Sequence, residues 1–254
     1  MIGLAGPVLA GLAWMAAAGA PGSFLAINGA ALALALAAAL WLPLPRGVAG
    51  RLAIAMAALV ILALPLLFGI EVQGVSRWIK LGPVTLHAGY LALPILSVLA
   101  ARMPSLSATA VMLAASAICA AQPDFATVLG LCLASAALAL VRRDRIASLG
   151  FLVALAVLYA VSRQPDLLAP VRFVEQVQRD ALIHQPIAGA LLCLASILPG
   201  LWLVDRAERA LPLVALTLGC GVAGLVWNYP SILIGFGAAP ILGAGLALAA
   251  LRQE

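Results

Sequence analysis

Charge is scarce in this 254-residue chain. Asp, Glu, Lys and Arg together make up 9% of it, against ~25% in soluble domains. Fourteen basic and nine acidic residues cannot cover the surface of a water-soluble protein of this length, so a soluble enzyme is excluded. A disordered chain is excluded too, because disorder needs low hydrophobicity and high net charge. The pI of about 9.5 does not indicate nucleic acid, since the basic residues are scattered between apolar runs rather than clustered. The chain has only two histidines and four cysteines. Cys119, Cys132, Cys193 and Cys220 fall inside apolar stretches with no paired spacing, so they read as small lipid- or core-facing residues. No His, Cys and carboxylate set has metal-ligand spacing, and no metal site is predicted. The first apolar run lacks a basic leader, which predicts insertion by the first spans rather than by a cleaved signal.

What the chain has is apolar length. Sixty-five per cent of it is hydrophobic and its mean hydropathy is +1.18. Runs such as 51–70 and 126–141 are nearly unbroken. Lipid admits only helices and closed barrels, because backbone polar groups find no water there. A barrel would alternate in polarity along segments of about ten residues. These runs do not alternate. The fold class is therefore all-α, a polytopic membrane protein forming a single transmembrane domain over 1–254.

A span needs about 20 apolar residues, and ~17 suffice. The candidates are 4–20, 23–44, 51–70, 84–101, 105–121, 125–141, 147–162, 183–204, 210–227 and 229–251, about ten helices. With both termini cytoplasmic, the inside segments hold Arg46, Arg51, Arg102, Arg142, Arg143, Arg145, Arg206, Arg209 and Arg252, with Asp144, Asp205, Glu208 and Glu254. Their net charge is +5, and that of the outside segments is zero. The positive-inside rule selects this orientation.

Two outside loops stand out, 71–83 and 162–182. The first contains Gly74-Val75-Ser76-Arg77-Trp78-Ile79-Lys80-Leu81-Gly82-Pro83. It reads as an interfacial element, with Trp78 at headgroup depth and Arg77 and Lys80 reaching toward phosphates. Either it is an ordinary anchor at a helix end, or it is a site for an anionic lipid diphosphate. A second segment, Gln122-Pro123-Asp124-Phe125-Ala126-Thr127, interrupts two apolar runs. Pro123 suits the first turn of a helix, and Asp124 suits the positive end of its dipole. Capping explains Asp124; a place in the lining of a polar cavity is the alternative. The third segment runs from Asn228 and Tyr229 through Pro230, Ser231, Gly235 and Gly237 to Pro240. Its glycines and prolines argue against a regular helix at its start and permit close helix contact.

In this order the three segments resemble the SEDS family (shape, elongation, division and sporulation), the FtsW/RodA/SpoVE group. That family carries G-x-x-R-W-(I/L)-x-L-G, then a helix opening with Q-P-(S/A)-E, then Q-P-D-(L/F)-G-T, then Y-P-x-P-L-(I/V)-x-Y-G-(G/A)-S. The matching stretches here are Gly74–Gly82, Gln122–Thr127 and Tyr229–Ala239. Ten spans, with the main external loop after the seventh, also agree. The resemblance implies a lipid II polymerase of the bacterial cytoplasmic (inner) membrane, acting in division, elongation or sporulation beside a class B penicillin-binding protein. It joins the acceptor sugar's 4-hydroxyl to the donor's anomeric carbon and displaces undecaprenyl diphosphate. Such chemistry needs a carboxylate base. It also needs cations, or a divalent ion such as magnesium or manganese, on the departing diphosphate.

Departures accompany the resemblance. The helix after Trp78 reads Leu86-His87-Ala88-Gly89-Tyr90 where the family has Q-P-S-E. Tyr90 takes the glutamate's place, and it shares a helical face with His87 three residues earlier. The glycine of Q-P-D-x-G-T is Ala126, and the last segment has Ile232 and Phe236 for a proline and a tyrosine. The family's external loop is longer and carries H-T-D-F with its proposed catalytic aspartate; that motif is absent here. Asp180, just before the eighth span, is the candidate base, with a helix-end acid as the structural alternative. Asp166 is a weaker candidate in the same loop. His184 reads as a lone buried histidine. The candidate substrate-binding residues are Arg77, Trp78, Lys80, Gln122, Asp124, Tyr229 and Ser231. Three functions compete: a small SEDS-type polymerase, a non-catalytic relative that binds lipid II or serves as a division or elongation scaffold, and a flippase supported only by the interrupted helices.

Overall fold

Backbone groups in lipid must bond within their own segment, so the apolar runs become helices. The computed structural model describes residues 2–164, 168–202 and 207–252; Asp166, Asp205, Arg206 and Glu254 lie outside these. The helices are α1 (Ile2–Ala17), α2 (Gly22–Trp41), α3 (Val48–Phe68), α4 (Ala88–Ala101), α5 (Ser105–Ala121), α6 (Phe125–Arg142), α7 (Arg145–Ser162), α8 (Val177–His184), α9 (Pro186–Trp202), α10 (Ala207–Val226) and α11 (Ala238–Arg252). Among them α2, α3, α6, α7 and residues 209–226 of α10 are long and apolar enough to cross a membrane. At ~1.5 Å per residue, the 21 residues of α3 match the hydrocarbon thickness. α1, α4, α5, α9 and α11 are shorter apolar helices.

The middle of the bundle is α4. Eleven of its fourteen residues are buried, and it touches α3, α5, α6, α10 and α11. α11 lies between α4 and α2, and α10 between α4 and α6. α1 packs on α9, and α7 on α5 and α6. Small residues bring these helices close, as expected where lipid supplies no hydrophobic drive. A Cβ on Gly219 of α10 would come within 2.7 Å of the Gly130 Cα of α6.

Four expectations need correction. First, 71–83 is no simple loop. It forms most of a three-stranded antiparallel sheet, β1 (Ile70–Val72), β2 (Val75–Leu81) and β3 (Val84–His87), in the order β1-β2-β3. Two-residue turns join the strands: Val72 pairs with Val75, and Leu81 with Val84. Gln73 and Gly74 both have positive φ, the requirement of a type I′ hairpin turn. Second, the fourth span begins at Ala88 rather than 84, because Val84–His87 belong to that sheet. Third, the eighth span is preceded by a separate short helix, α8, broken from α9 at Gln185 before Pro186. Proline disfavours a helical conformation in the residue before it. Fourth, the last span, read as 229–251, becomes helical only at Ala238; residues 229–237 form no helix, in keeping with the glycines and prolines at its start.

The sheet, the turn between α5 and α6, the 168–176 loop with α8, and the 227–237 segment all lie at one end of the bundle, termed the sheet face. Arginines tie the opposite end together. Arg142 donates to the carbonyls of Ala100 and Met103, Arg51 to that of Arg102, and Arg102 to those of Ala250 and Leu251. These are the orphan carbonyls of helix C-termini, which favour cationic partners. Asp144 caps α7 there by accepting from the Ala147 amide (2.8 Å), and the Ser105 hydroxyl donates to it. These bonds hold its carboxyl below the usual range, the Ala147 amide contributing most.

Candidate functional site

The strand geometry of β2 decides what its side chains do. Successive residues point to opposite faces, so Arg77 and Trp78 part company. Trp78 stays half-buried with its ring against His87 (centroids 6.0 Å), its partner across the sheet. Lys80, on the Trp78 face, is exposed. Arg77 turns inward and is 2% exposed. Its guanidinium donates to the carbonyls of Gln122 (3.3 Å, from Nε) and Pro123, and lies 5.2 Å from the centre of the Tyr229 ring. The expectation that Arg77 reaches toward phosphates is thereby corrected: it is a buried clamp joining the three sequence segments.

Asp124 is fully buried. It is the N-cap of α6: its Oδ1 accepts from the Thr127 amide (3.3 Å), while the Thr127 hydroxyl donates to the Asp124 carbonyl (3.2 Å). Pro123 precedes that cap rather than occupying the first helical turn, a further correction. The second carboxylate oxygen of Asp124 lies 3.5 Å from His87 Nε2. His87 is itself the N-cap of α4, its Nδ1 accepting from the Tyr90 amide (3.5 Å), and the His87 and Tyr90 rings sit 4.4 Å apart. Since Nδ1 accepts, the neutral ring carries its proton on Nε2, facing Asp124. Gln122, also buried, donates to the Leu62 carbonyl (2.6 Å). The Tyr90 hydroxyl has no hydrogen-bond partner among the described residues.

The last segment is held from two sides. The Ser231 amide donates to the Val174 carbonyl (2.9 Å), and the Ser231 hydroxyl accepts from the Val177 amide (3.0 Å). Gln176 donates to the Asn228 side chain (2.5 Å), and Glu175 bridges to Pro230. From α2, Asn28 donates to the Gly235 carbonyl (3.0 Å) and accepts from the Gly237 amide (3.1 Å), and Phe24 stacks on Phe236 at 3.7 Å. Sequence reading missed Asn28, although a lone amide in a 20-residue apolar helix was the available signal. Gln122, Asp124, Tyr229 and Ser231, read as substrate-binding, are thus buried framework groups.

Asp180 stands apart from this cluster. It is half-buried on α8 and lines an open hollow of about 160 Å³ with Trp14, Arg172, Phe173 and His184. His184, expected buried, is exposed, because α8 ends there. Among the described residues no three His, Cys, Asp or Glu side chains converge. A divalent ion escorting a diphosphate into the hollow would share one carboxylate, Asp180, with Arg172 close by.

A bundle of apolar helices, five of them long enough to cross a membrane, with a small sheet at one end and an arginine network at the other, defines a multi-pass membrane protein. Its fold is that of RodA. The rod shape-determining protein RodA of Thermus thermophilus is 19% identical over 98% of this chain and 94% of its own, with a TM-score of 0.64. An aspartate-to-alanine variant of it gives 0.69 at the same identity and coverage. A chain from a peptidoglycan synthase complex, solved to show how polymerization and crosslinking are coordinated, is 21% identical over 100% of this chain and 97% of its own, with a TM-score of 0.65. No family model and no curated relative matches. The fold agrees with the SEDS resemblance drawn from the three segments.

Proposed function

We propose that this protein is a SEDS-type glycosyltransferase of bacterial cell-wall assembly, polymerising lipid II at the outer face of the inner membrane. The observation that carries the reading is the meeting of the three family segments through Arg77, which bonds the Gln122–Asp124 turn and lies over Tyr229. The sheet face is the outward one, since the arginine-rich end satisfies the positive-inside rule.

In this reading Asp180 is the base. It accepts the proton of the acceptor's 4-hydroxyl as that oxygen bonds to the donor's anomeric carbon, and the anomeric bond to undecaprenyl diphosphate breaks. Lys80, exposed on the sheet, meets the departing diphosphate, and Trp78 anchors the strand at headgroup depth. Arg77 and Asp124 set the position of the sheet rather than touch substrate. A class B penicillin-binding protein is the proposed partner, in keeping with the synthase complex that shares this fold.

The test is polymerisation of labelled lipid II by purified protein and by Asp180→Ala. Glycan strands from the wild type alone support the assignment. Equal products from both remove Asp180 from the mechanism. A second reading, a lipid II-binding scaffold, draws on the separation of Asp180 from the buried Asp124 cluster. Retained lipid II binding with no product from the wild type selects it.

A further inference from the structure

The hollow beside Asp180 contains more than a base. Its wall on α1 is Trp14, whose indole packs against the small core of Val177, Ala181, Leu192 and Ile234 and is therefore fixed. Asp180 and His184 lie four residues apart on α8, so they share one face. Arg172 closes the rim; its guanidinium donates to the Ala18 carbonyl (3.3 Å) and lies 4.6 Å from the Phe173 ring centre. The set is one rigid aromatic plane, one carboxylate acceptor, one guanidinium and one imidazole.

Each candidate ligand class can be weighed against that set. A bare anion would meet the Asp180 carboxylate, and a bare cation would meet Arg172. A lipid tail would bury none of these polar groups favourably. A sugar ring satisfies all of them: its C–H face lies on the indole, and its hydroxyls both donate to Asp180 and accept from Arg172 and His184.

We infer that the hollow between α1 and α8 is a pyranose subsite, with Trp14 as the stacking platform and Asp180, Arg172 and His184 as the polar contacts. The inference rests on the glycosyl-transfer reading for which sugar enters, an N-acetylated aminosugar. It assigns the platform to the first helix, far in sequence from any of the three segments.

The test uses the whole protein in nanodiscs and a soluble β-1,4-linked N-acetylglucosamine tetramer as probe, read by calorimetry and saturation-transfer NMR. The wild type binds. Trp14→Ala weakens binding at least tenfold, Trp14→Phe keeps it within a few-fold, and Asp180→Asn weakens it several-fold. Trp41→Ala, at an exposed position at the far end of α2, leaves it unchanged. If Trp14→Ala does not fold, His184→Gln at the open rim takes its place, with a several-fold loss expected. No binding by the wild type, or equal binding by wild type and the hollow variants, overturns the subsite. Binding that follows this pattern without lipid II polymerisation removes the enzyme reading and leaves the subsite standing. Polymerisation that Trp14→Ala does not slow removes the subsite alone.

Discussion

Asn28 offers the sharpest test of how the sheet face is held. It is 1% exposed, in the apolar helix α2, and both halves of its amide are used on the 228–237 segment. Asn28→Ala leaves the Gly235 carbonyl and the Gly237 amide without their partner. In a water-soluble core each orphaned group costs about 1–3 kcal/mol, which would give about 2–6 for the pair. In a membrane the unfolded state also finds partners, and measured bonds average ~0.6 kcal/mol with a maximum of ~1.7. The membrane figure governs here, so the expected loss is about 1–3 kcal/mol. Asn28→Leu, with the same branched skeleton and no polar atoms, loses at least as much. Phe24, one turn earlier, keeps its stack on Phe236 in both variants. Equilibrium unfolding in mixed micelles reads the difference. A change below about 0.5 kcal/mol, the scatter of inconsequential substitutions, refutes the assignment of Asn28 as the clamp.

Tyr90→Phe removes a buried hydroxyl that has no partner among the described residues, so the variant should be as stable as the wild type or more so by about 1 kcal/mol; a clear loss in the same unfolding assay contradicts this. Asp144 has its carboxyl lowered by the Ala147 amide and the Ser105 hydroxyl. Its contribution is therefore present above the unfolded value of ~3.9 and is lost as pH falls through the lower folded value. Asp144→Ala should lower the melting temperature at pH 7, with the gap closing below about pH 4; a gap independent of pH contradicts the assignment.

Apolar length made the helices legible. α5 occupies 105–121 as read, and α6 and α7 lie within two residues of expectation. The sheet was less so, because Val84-Thr85-Leu86-His87 runs without a break into an apolar helix and its alternation is only four residues long. Its two-residue turns, at Gln73-Gly74 and Gly82-Pro83, were the readable sign. The three segments were found from the sequence; the division of labour between Arg77 and Trp78 was not, since it depends on the strand's two faces. Asp124 as a cap followed from its place before Phe125, whereas the hollow at Asp180 needed Trp14 and Arg172, which only the fold brings together.

Lipid II polymerisation at the outer face needs the end carrying the sheet and the hollow to face outward. Impermeant maleimide labelling of intact cells tests this directly, using Lys80→Cys on the sheet and Arg143→Cys beyond α6, both at exposed positions. The native cysteines lie within α5, α6, α9 and α10, three buried and Cys193 half-buried, so background labelling is low. Label at position 80 in intact cells, and at position 143 only after permeabilisation, is the predicted result. Label at 143 but not at 80 would place the polar cluster on the cytoplasmic side and contradict the account.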